Sequence, residues 1–450
     1  MASIVPYSAV RCKRIRRENR KRNAPLTFAR QTDTSGGMSV SPLPEAEIPG
    51  GGRASIETRS GLVGERLADA FRALIAAIPD GPYRPQDLAR TLGIKKDLSS
   101  RVLRASRNRD PVAVVHLMPG PAPLRQLLQA AAEKIADTDI LREGEEAVRQ
   151  FDALIHEEAG DRTSLDAIIS TCLPDAREKF ELFNKQAVYR GMAQLKGAAA
   201  EVTLNTGLLY PADDGERLDG VWIIGSIGLR RIRPSAVVHF CSHRLGPSAN
   251  PRSPLTLDRK PVEDLQGLVL ERFCSSPLPP LRAHHQETTV HYTLANDAIG
   301  LSSAVDLYLS EFTPRCMRRY RGPTPWMYGP SAEIEIPTKT LIFDVLIHED
   351  VYPGSDPTLL VYDTSVRGLV NLGDRDRDID RLDVAETIQP LGRGTSKWRA
   401  SEVPQYVEIV RHVLDKIGWD GEHMHGYRCK VHYPIYGSQL YLAFNAPEKP

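Results

Sequence analysis

The chain has 450 residues, of which 41% are hydrophobic and 26% are charged, and its formal net charge is +1. This composition allows a sizeable core and excludes wholesale disorder, and the length predicts two or three domains of roughly 100–200 residues each. No segment approaches about 18 consecutive apolar residues, so we expect a cytoplasmic protein without a membrane partner. The cysteines are scattered without a C-x-x-C pair, which is typical of reduced thiols rather than of disulfides or a zinc knuckle.

Charge is concentrated in two basic islands. Residues 11–30 carry a net charge of +8 and residues 84–109 carry +6, which leaves the rest of the chain near −13. Binding to a polyanion requires a positive surface rather than a positive total, because affinity comes from neutralising phosphates and releasing their counterions. The distribution therefore keeps nucleic acid among the candidate partners.

The first 120 residues divide into a leader and a helical module. Residues 1–60 combine the first basic island with a Gly/Ser/Pro-rich stretch and few apolar residues, which predicts a disordered basic leader. In residues 61–120, apolar side chains recur every three or four positions from Leu67 to Ile78, as on one face of a helix. Pro79–Pro82 ends that helix, two short helical segments follow, and Val112–Val115 predicts a short strand.

Residues 121–201 are also helical in pattern. Three apolar stripes with helical spacing begin at Leu124, Val148 and Phe180. The third stripe includes Phe183 and continues through the Ala-rich residues 197–201. We interpret this segment as a dimerisation or spacer unit.

From residue 202 onward, short apolar runs alternate with Pro/Gly-rich loops. The runs predict strands at Val221–Gly225, Ala236–Phe240, Thr288–Tyr292, Val305–Leu309, Leu341–Ile347, Leu359–Tyr362, Tyr427–His432 and Gln439–Ala443. One helix is predicted at Pro404–Ile417, with Pro in its first turn and Gly418 after its end. Residues 202–450 therefore predict a β-rich α+β domain of unknown role, and the whole chain a multidomain α+β protein.

The two short helical segments between Tyr83 and Arg104 have the residues that a helix-turn-helix requires. Ala89 supplies a small residue where the second helix crosses the first, and Gly93 tolerates a positive φ in the tight turn. Ile94 supplies an apolar plug after the turn. Apolar positions of the second helix face the first, and the upstream helix completes a small core; those positions are Leu98, Val102 and Ala105.

The run Asp87–Ile94, followed by Ser100–Leu103, resembles the helix-turn-helix of bacterial transcription regulators. The resemblance covers about 25 residues strictly and residues 64–110 with the supporting helix. It implies that the second helix enters the major groove of double-stranded DNA.

The resemblance also implies which side chains contact DNA. Those nearest the groove are Lys95, Lys96, Ser99, Ser100 and Arg101. Arg101 is best suited to donate two hydrogen bonds to a guanine. The side chains expected to meet phosphates are Arg104, Arg107 and Arg109.

Two histidine groups could in principle supply ligands to a metal ion in the β-rich domain. The first contains His348, Glu349, His423 and His425. The second contains His284, His285 and His291. Neither has the spacing of an established zinc site, and H-E-x-x-H is absent, so we predict no metal and no other cofactor.

A nucleophile, base and orienting acid can be drawn from Cys241, Ser242, His243 and Asp344. No G-x-S-x-G turn surrounds a serine, and scattered residues do not define a triad. We therefore predict no catalytic residue.

The resulting hypothesis is a DNA-binding transcription regulator whose β-rich domain senses a small-molecule ligand or a protein partner. A homodimer is expected, because one recognition helix covers only a half-site. An enzyme with a metal or Cys/His site in the β-rich domain is the second hypothesis. A structural or assembly protein that uses the helical module as an adaptor is the third.

Overall fold

The computed structural model describes residues 55–244, 254–286, 289–295, 297–322 and 327–450. This part of the chain is mixed α+β and falls into two compact units, one that ends at Glu181 and one that spans Leu182–Pro450. The predicted leader lies outside the described residues up to position 54. Its last residues are not a disordered segment, because a helix begins at Ile56 with the Ser55 side chain as its N-cap.

The first unit is built from helices, and the last of them ends in the second unit. Their bounds are α1 (Ile56–Ala77), α2 (Pro85–Leu92), α3 (Lys96–Ser106), α4 (Pro111–Leu117), α5 (Pro121–Ala132), α6 (Thr138–Glu158), α7 (Arg162–Ser170) and α8 (Pro174–Lys196). None of the helices in the described ranges is both long and apolar enough to cross a bilayer.

The predicted strand at Val112–Val115 is wrong, because this segment forms most of α4. The Asp110 carboxylate accepts hydrogen bonds from two amides of the first turn, and Pro111 occupies the first helical position, where it needs no amide donor. Val114 and Val115 are fully buried in the core of the helical unit. Capping and tertiary packing therefore outweigh the β-propensity of the valines.

The core of the helical unit follows the predicted apolar stripes. Leu67, Phe71 and Leu74 of α1 are fully buried and belong to the same cluster as Val148 and Phe151 of α6. The close approach of α1 to α4 occurs at Gly64, where an added Cβ would fall well inside van der Waals distance of the Pro111 carbonyl oxygen.

We expect Gly64→Ala to lower the free energy of unfolding by about 3 kcal/mol, because a backbone atom would have to move to make room. Gly61→Ala, in the same helix, meets no atom within 4 Å, and we expect it to raise stability by about 0.5–1 kcal/mol through helix propensity. Denaturant unfolding of the two variants checks this. Equal stability of the two variants would contradict the packing described here.

The Ala-rich residues 197–201 do not continue the helix, contrary to the prediction. Helix α8 ends at Lys196, Gly197 has a φ of +68°, and strand β1 begins at Ala198. Ala199 and Ala200 are fully buried, and β1 pairs with a strand on each side. Ladder hydrogen bonds and burial outweigh the helix propensity of alanine here.

The second unit is rich in strands. Their bounds are β1 (Ala198–Pro211), β2 (Arg217–Arg231), β3 (His239–Arg244), β4 (Leu281–Gln286), β5 (Thr289–Leu294), β6 (Val305–Arg318), β7 (Met327–Tyr328), β8 (Ser331–Glu333), β9 (Thr338–His348), β10 (Thr358–Asp363), β11 (Ile388–Arg393), β12 (Met424–His432) and β13 (Ser438–Asn445). The predicted strands lie within these bounds with two exceptions. Ala236–Val238 precede β3, and Thr288 lies outside the described residues.

The strands form three sheets. The largest has the order β11-β12-β9-β1-β2-β6 and is antiparallel except between β1 and β9. The second is β10-β13-β7 with β8 also paired to β13, and the third is β3-β5-β4. The predicted C-terminal helix is α9 (Tyr406–Ile417), two residues shorter than expected, and Gly418 ends it with a φ of +75°.

Both faces of the largest sheet are covered, which explains the continuous apolar run in β9. Ile342 and Leu346 belong to the cluster formed with α9. Phe343 and Val345, on the other face, belong to the cluster formed with β13.

A buried ion pair lies within this sheet. Asp344 of β9 and Arg428 of β12 are direct cross-strand partners, and the Asp344 side chain is fully buried.

Candidate nucleic-acid interface

The turn between α2 and α3 has the predicted backbone. Gly93 has a φ of +64°, and the Ile94 amide donates to the Ala89 carbonyl oxygen over 3.0 Å. Ala89 is buried, Ile94 packs against the core, and α3 begins at Lys96. The turn therefore joins two short helices with few residues, and α2 and α3 pack on each other.

Ser99 does not lie on the exposed face of α3, which corrects its expected position near DNA. The side chain is fully buried, and its Oγ lies 2.6 Å from the Pro85 carbonyl oxygen and 2.9 Å from that of Lys96. The hydroxyl donates its single proton to these acceptors, one of which belongs to α2. Ser99 is therefore a packing residue that links the two helices, next to the buried Val102 and Ala105.

The remaining predicted side chains of α3 and its flanks lie toward solvent. Ser100 is half-buried, and the exposed ones are Lys95, Lys96, Arg101, Arg104, Arg107 and Arg109. Within the described ranges, none of these six cations has a carboxylate within ion-pair distance. We call the seven residues the basic face; they are Lys95, Lys96, Ser100, Arg101, Arg104, Arg107 and Arg109.

Two arginines of the basic face contact backbone carbonyl oxygens. One Nη of Arg101 lies 3.5 Å from the Met118 oxygen, and one Nη of Arg107 lies 3.4 Å from the Tyr83 oxygen. Both distances are at the long end of the hydrogen-bond range. These contacts hold the guanidinium groups only weakly, so an oxygen acceptor of a ligand can replace them.

We expect Ser99→Ala to be less stable than Ser100→Ala by about 1 kcal/mol, because only the first removes a buried hydrogen bond between helices. Both variants share the same gain in helix propensity, so the comparison isolates the hydroxyl contact. Thermal and denaturant unfolding of the two variants measure the difference. If the two are equally stable, the buried Ser99 contact contributes nothing.

The structure brings together three members of the first histidine group. His423 Nδ1 lies 2.6 Å from Glu349 Oε1, and the rings of His348 and His423 are 6.2 Å apart. Arg393 completes the group, with one Nη 3.0 Å from Glu349 Oε2 and the other 3.0 Å from His423 Nδ1. The hydrogen bond from His423 lowers the pKa of the Glu349 carboxyl.

This group is an ion-pair network rather than a metal centre. The Arg393 guanidinium and the His423 Nδ1–H both already contact the Glu349 carboxylate that a cation would need. His425 lies on β12, where it pairs with Ile347. The residue that pairs with His348 is Met424. Within the described ranges, no group of three His, Cys, Asp or Glu side chains is arranged to hold a metal ion.

The residues Cys241, Ser242, His243 and Asp344, from which a nucleophile, a base and an orienting acid could be drawn, do not form a triad among the described side chains. Cys241 is buried, and burial raises the pKa of its thiol well above the ordinary value, which makes it a poor nucleophile. Asp344 lies in the largest sheet, paired with Arg428. The side chain of His243 lies outside the described residues.

Ser242 instead contacts two histidines, of which His239 has no counterpart in the sequence prediction. Ser242 Oγ lies 2.9 Å from His239 Nε2 and 2.7 Å from His291 Nδ1. No spacing in the sequence reveals this group, because His291 is brought in by strand pairing from 49 residues away.

Two of the cavities that the described residues line are in the β-rich unit. One of about 280 Å³ is lined by Trp222, Glu311 and Tyr328, among others. The other, of about 870 Å³, is lined by Ser242 and the histidines around it. The segment Glu333–Ile336 contributes to the walls of both.

These features define the chemistry that the described residues offer: an unpaired basic face on one unit, and two cavities in the other. Comparison with protein-family models, with curated proteins and with solved structures finds no match to this chain.

Proposed function

We propose that the chain is a DNA-binding transcription regulator that reads duplex DNA with α3. The observation that carries the proposal is the basic face, whose six cations have no carboxylate partner among the described residues. Unpaired cations on one surface repel each other, so a polyanion that neutralises them is the partner that stabilises this arrangement.

The two ends of the basic face suit different parts of a duplex. Lys95, Lys96, Ser100 and Arg101 lie at the start and first turns of α3, the part of a recognition helix that approaches base edges. Arg101 would exchange its long contact with the Met118 oxygen for two hydrogen bonds to guanine. Arg104 lies in the last turn of α3, and Arg107 and Arg109 follow its end, where backbone phosphates would neutralise them.

The proposal includes a homodimer, because one recognition helix covers a half-site. Helix α8 carries exposed apolar side chains that support it, with Phe183 and Leu195 71% and 70% exposed. In the stripe predicted to serve dimerisation, Phe183 and Ala187 are exposed. Sedimentation of the protein–DNA complex tests this part: two chains per operator support a dimer, and one chain contradicts it.

The proposal also includes a ligand in the β-rich unit, which the cavity of about 280 Å³ supports. Such a volume suits a small metabolite, and its wall combines the indole of Trp222 with the buried carboxyl of Glu311. A binding metabolite would raise the melting temperature of the protein in a concentration-dependent way. If no compound of a metabolite library raises the melting temperature, this part of the proposal is contradicted.

DNA binding is tested with the full chain and a random-sequence duplex pool, from which bound sequences are selected at low salt. We expect Arg101→Ala to weaken binding to the selected sequence by about 10-fold to 100-fold, as for the loss of a bidentate base contact. Arg104→Ala should weaken all duplexes and reduce the salt slope by about 1, as for one phosphate contact. Titration of each variant over a salt series measures both effects.

The matched control is Arg142→Ala, which removes a 77% exposed arginine of α6 whose partner is Asp139. The basic leader is present in every variant, so its contribution cancels. A folded full chain that binds no duplex at low salt, or that loses the same affinity with Arg142→Ala, would contradict the proposal. Binding of an acidic protein by the same face would then favour the adaptor hypothesis.

A further inference from the structure

An irregularity in strand β3 brings a serine and two histidines onto one face of the smallest sheet. His239 pairs with Thr293 and Cys241 with Tyr292, so Phe240 and Cys241 together oppose one residue of β5. Such a β-bulge shifts the alternation of side chains by one position, and bulges recur beside active sites because they re-aim a side chain. Here the bulge places His239 and Ser242 on the same face, with Phe240 and Cys241 buried on the other.

The register of β3 and β5 places the second histidine. Ser242 and His291 are direct cross-strand partners, and their side chains meet at 2.7 Å. The His239 ring lies 6.1 Å from the His291 ring, with the Ser242 hydroxyl bonded to both. The serine oxygen is therefore held between two imidazoles.

A carboxylate lies on the far side of His239. Glu335 follows strand β8, and its Oε2 lies 3.5 Å from His239 Nδ1. With Nδ1 protonated toward Glu335, His239 Nε2 is the acceptor for the Ser242 proton. Since Ser242 has one proton, His291 must donate its Nδ1–H to the same oxygen.

Burial acts on both His239 and Glu335: it raises the pKa of the Glu335 carboxyl, which the charges of His291 and Lys196 lower. Burial lowers the pKa of His239, which favours the neutral imidazole that a base requires. Ser242 is only 2% exposed, yet it lines the cavity of about 870 Å³ together with His239, His291 and Glu335. The group thus faces a partly open cavity that a substrate can enter from solvent.

We propose that Ser242, His239 and Glu335 are the nucleophile, the general base and the orienting acid of an ester-hydrolysing site. Nucleophile, base and orienter meet in the order that activates a serine, and each nitrogen of His239 has a different partner. The proposal concerns the β-rich unit and is independent of DNA binding by the basic face.

The reaction proceeds in two balanced steps. Ser242 Oγ bonds to the ester carbonyl carbon while its proton moves to His239 Nε2; the bond to the alkoxy oxygen then breaks, and that oxygen takes the proton and leaves as an alcohol. In the second step, water gives a proton to His239 and adds to the acyl carbon. The bond to Ser242 Oγ then breaks, the serine recovers its proton, and a carboxylic acid is released.

The walls of the cavity favour a small substrate without net charge. Lys196 offsets one of the two carboxyls of Glu333 and Glu335 along the wall, and Ile334 and Ile336 add apolar surface. An uncharged ester would bury its acyl group on that surface. A multiply charged phosphate ester would face the carboxyls.

The test uses the full chain with a fluorophosphonate probe and with p-nitrophenyl butyrate. We expect the probe to form an adduct on the Ser242 peptide, which mass spectrometry detects without any variant. We expect Ser242→Ala to abolish the adduct and to lower hydrolysis of the ester by about 10³-fold or more. Glu335→Gln should lower kcat with little change in KM, because Glu335 acts through His239 and does not touch the ester.

The matched control is Ser401→Ala, which removes an exposed serine outside the cavity whose Oγ donates to the carboxylate of Glu402 rather than to an imidazole. We expect this variant to retain both the adduct and the hydrolysis. An unlabelled Ser242 in the folded wild type would overturn the proposal. Hydrolysis that survives Ser242→Ala, or labelling of Ser365, another serine of the cavity, in place of Ser242, would overturn it as well.

Discussion

The fold of the β-rich unit depends on the buried ion pair between Asp344 and Arg428. Arg428 Nε and Nη2 donate to the two carboxylate oxygens over 2.8 and 2.7 Å, and its Nη1 donates to the Arg399 carbonyl oxygen over 2.5 Å. The Tyr406 ring of α9 lies 5.2 Å from the guanidinium. Burying two charges costs several kcal/mol unless the geometry satisfies both, so the pair tolerates one register of β9 against β12 and opposes any slip.

That register controls where the candidate catalytic group lies. With β9 fixed, its outer face packs Phe343 and Val345 in the same cluster as β13. Strand β13 pairs with β8, and Gln439 lies opposite Glu333. The chain after β8 carries Glu335 to His239. A misplaced β9 would therefore move the carboxylate as well as the core.

Local signals in the sequence predict the elements better than the contacts between them. Gly93 identifies the turn, because few other residues adopt its φ at low cost. The residue pattern of Val112–Val115 predicts a strand, but capping by Asp110 and burial make this segment helical. Ser99 is predicted to lie near DNA, but its hydroxyl donates a hydrogen bond to a carbonyl oxygen of α2 across the turn. The group at Ser242 depends on a bulge and on pairing with a distant strand, neither of which has a signature in the residue pattern.

We propose that α3 is the surface that contacts DNA, and photocrosslinking of the full chain tests this proposal. A photoreactive phenylalanine analogue replaces Asp97 of α3 in one variant and Glu145 of α6 in another; both positions are acidic and exposed, so the charge change is the same. We expect duplex DNA to crosslink to position 97 and not to position 145. Equal crosslinking at both positions, or DNA binding without crosslinking at position 97, would contradict it and assign binding to another part of the chain.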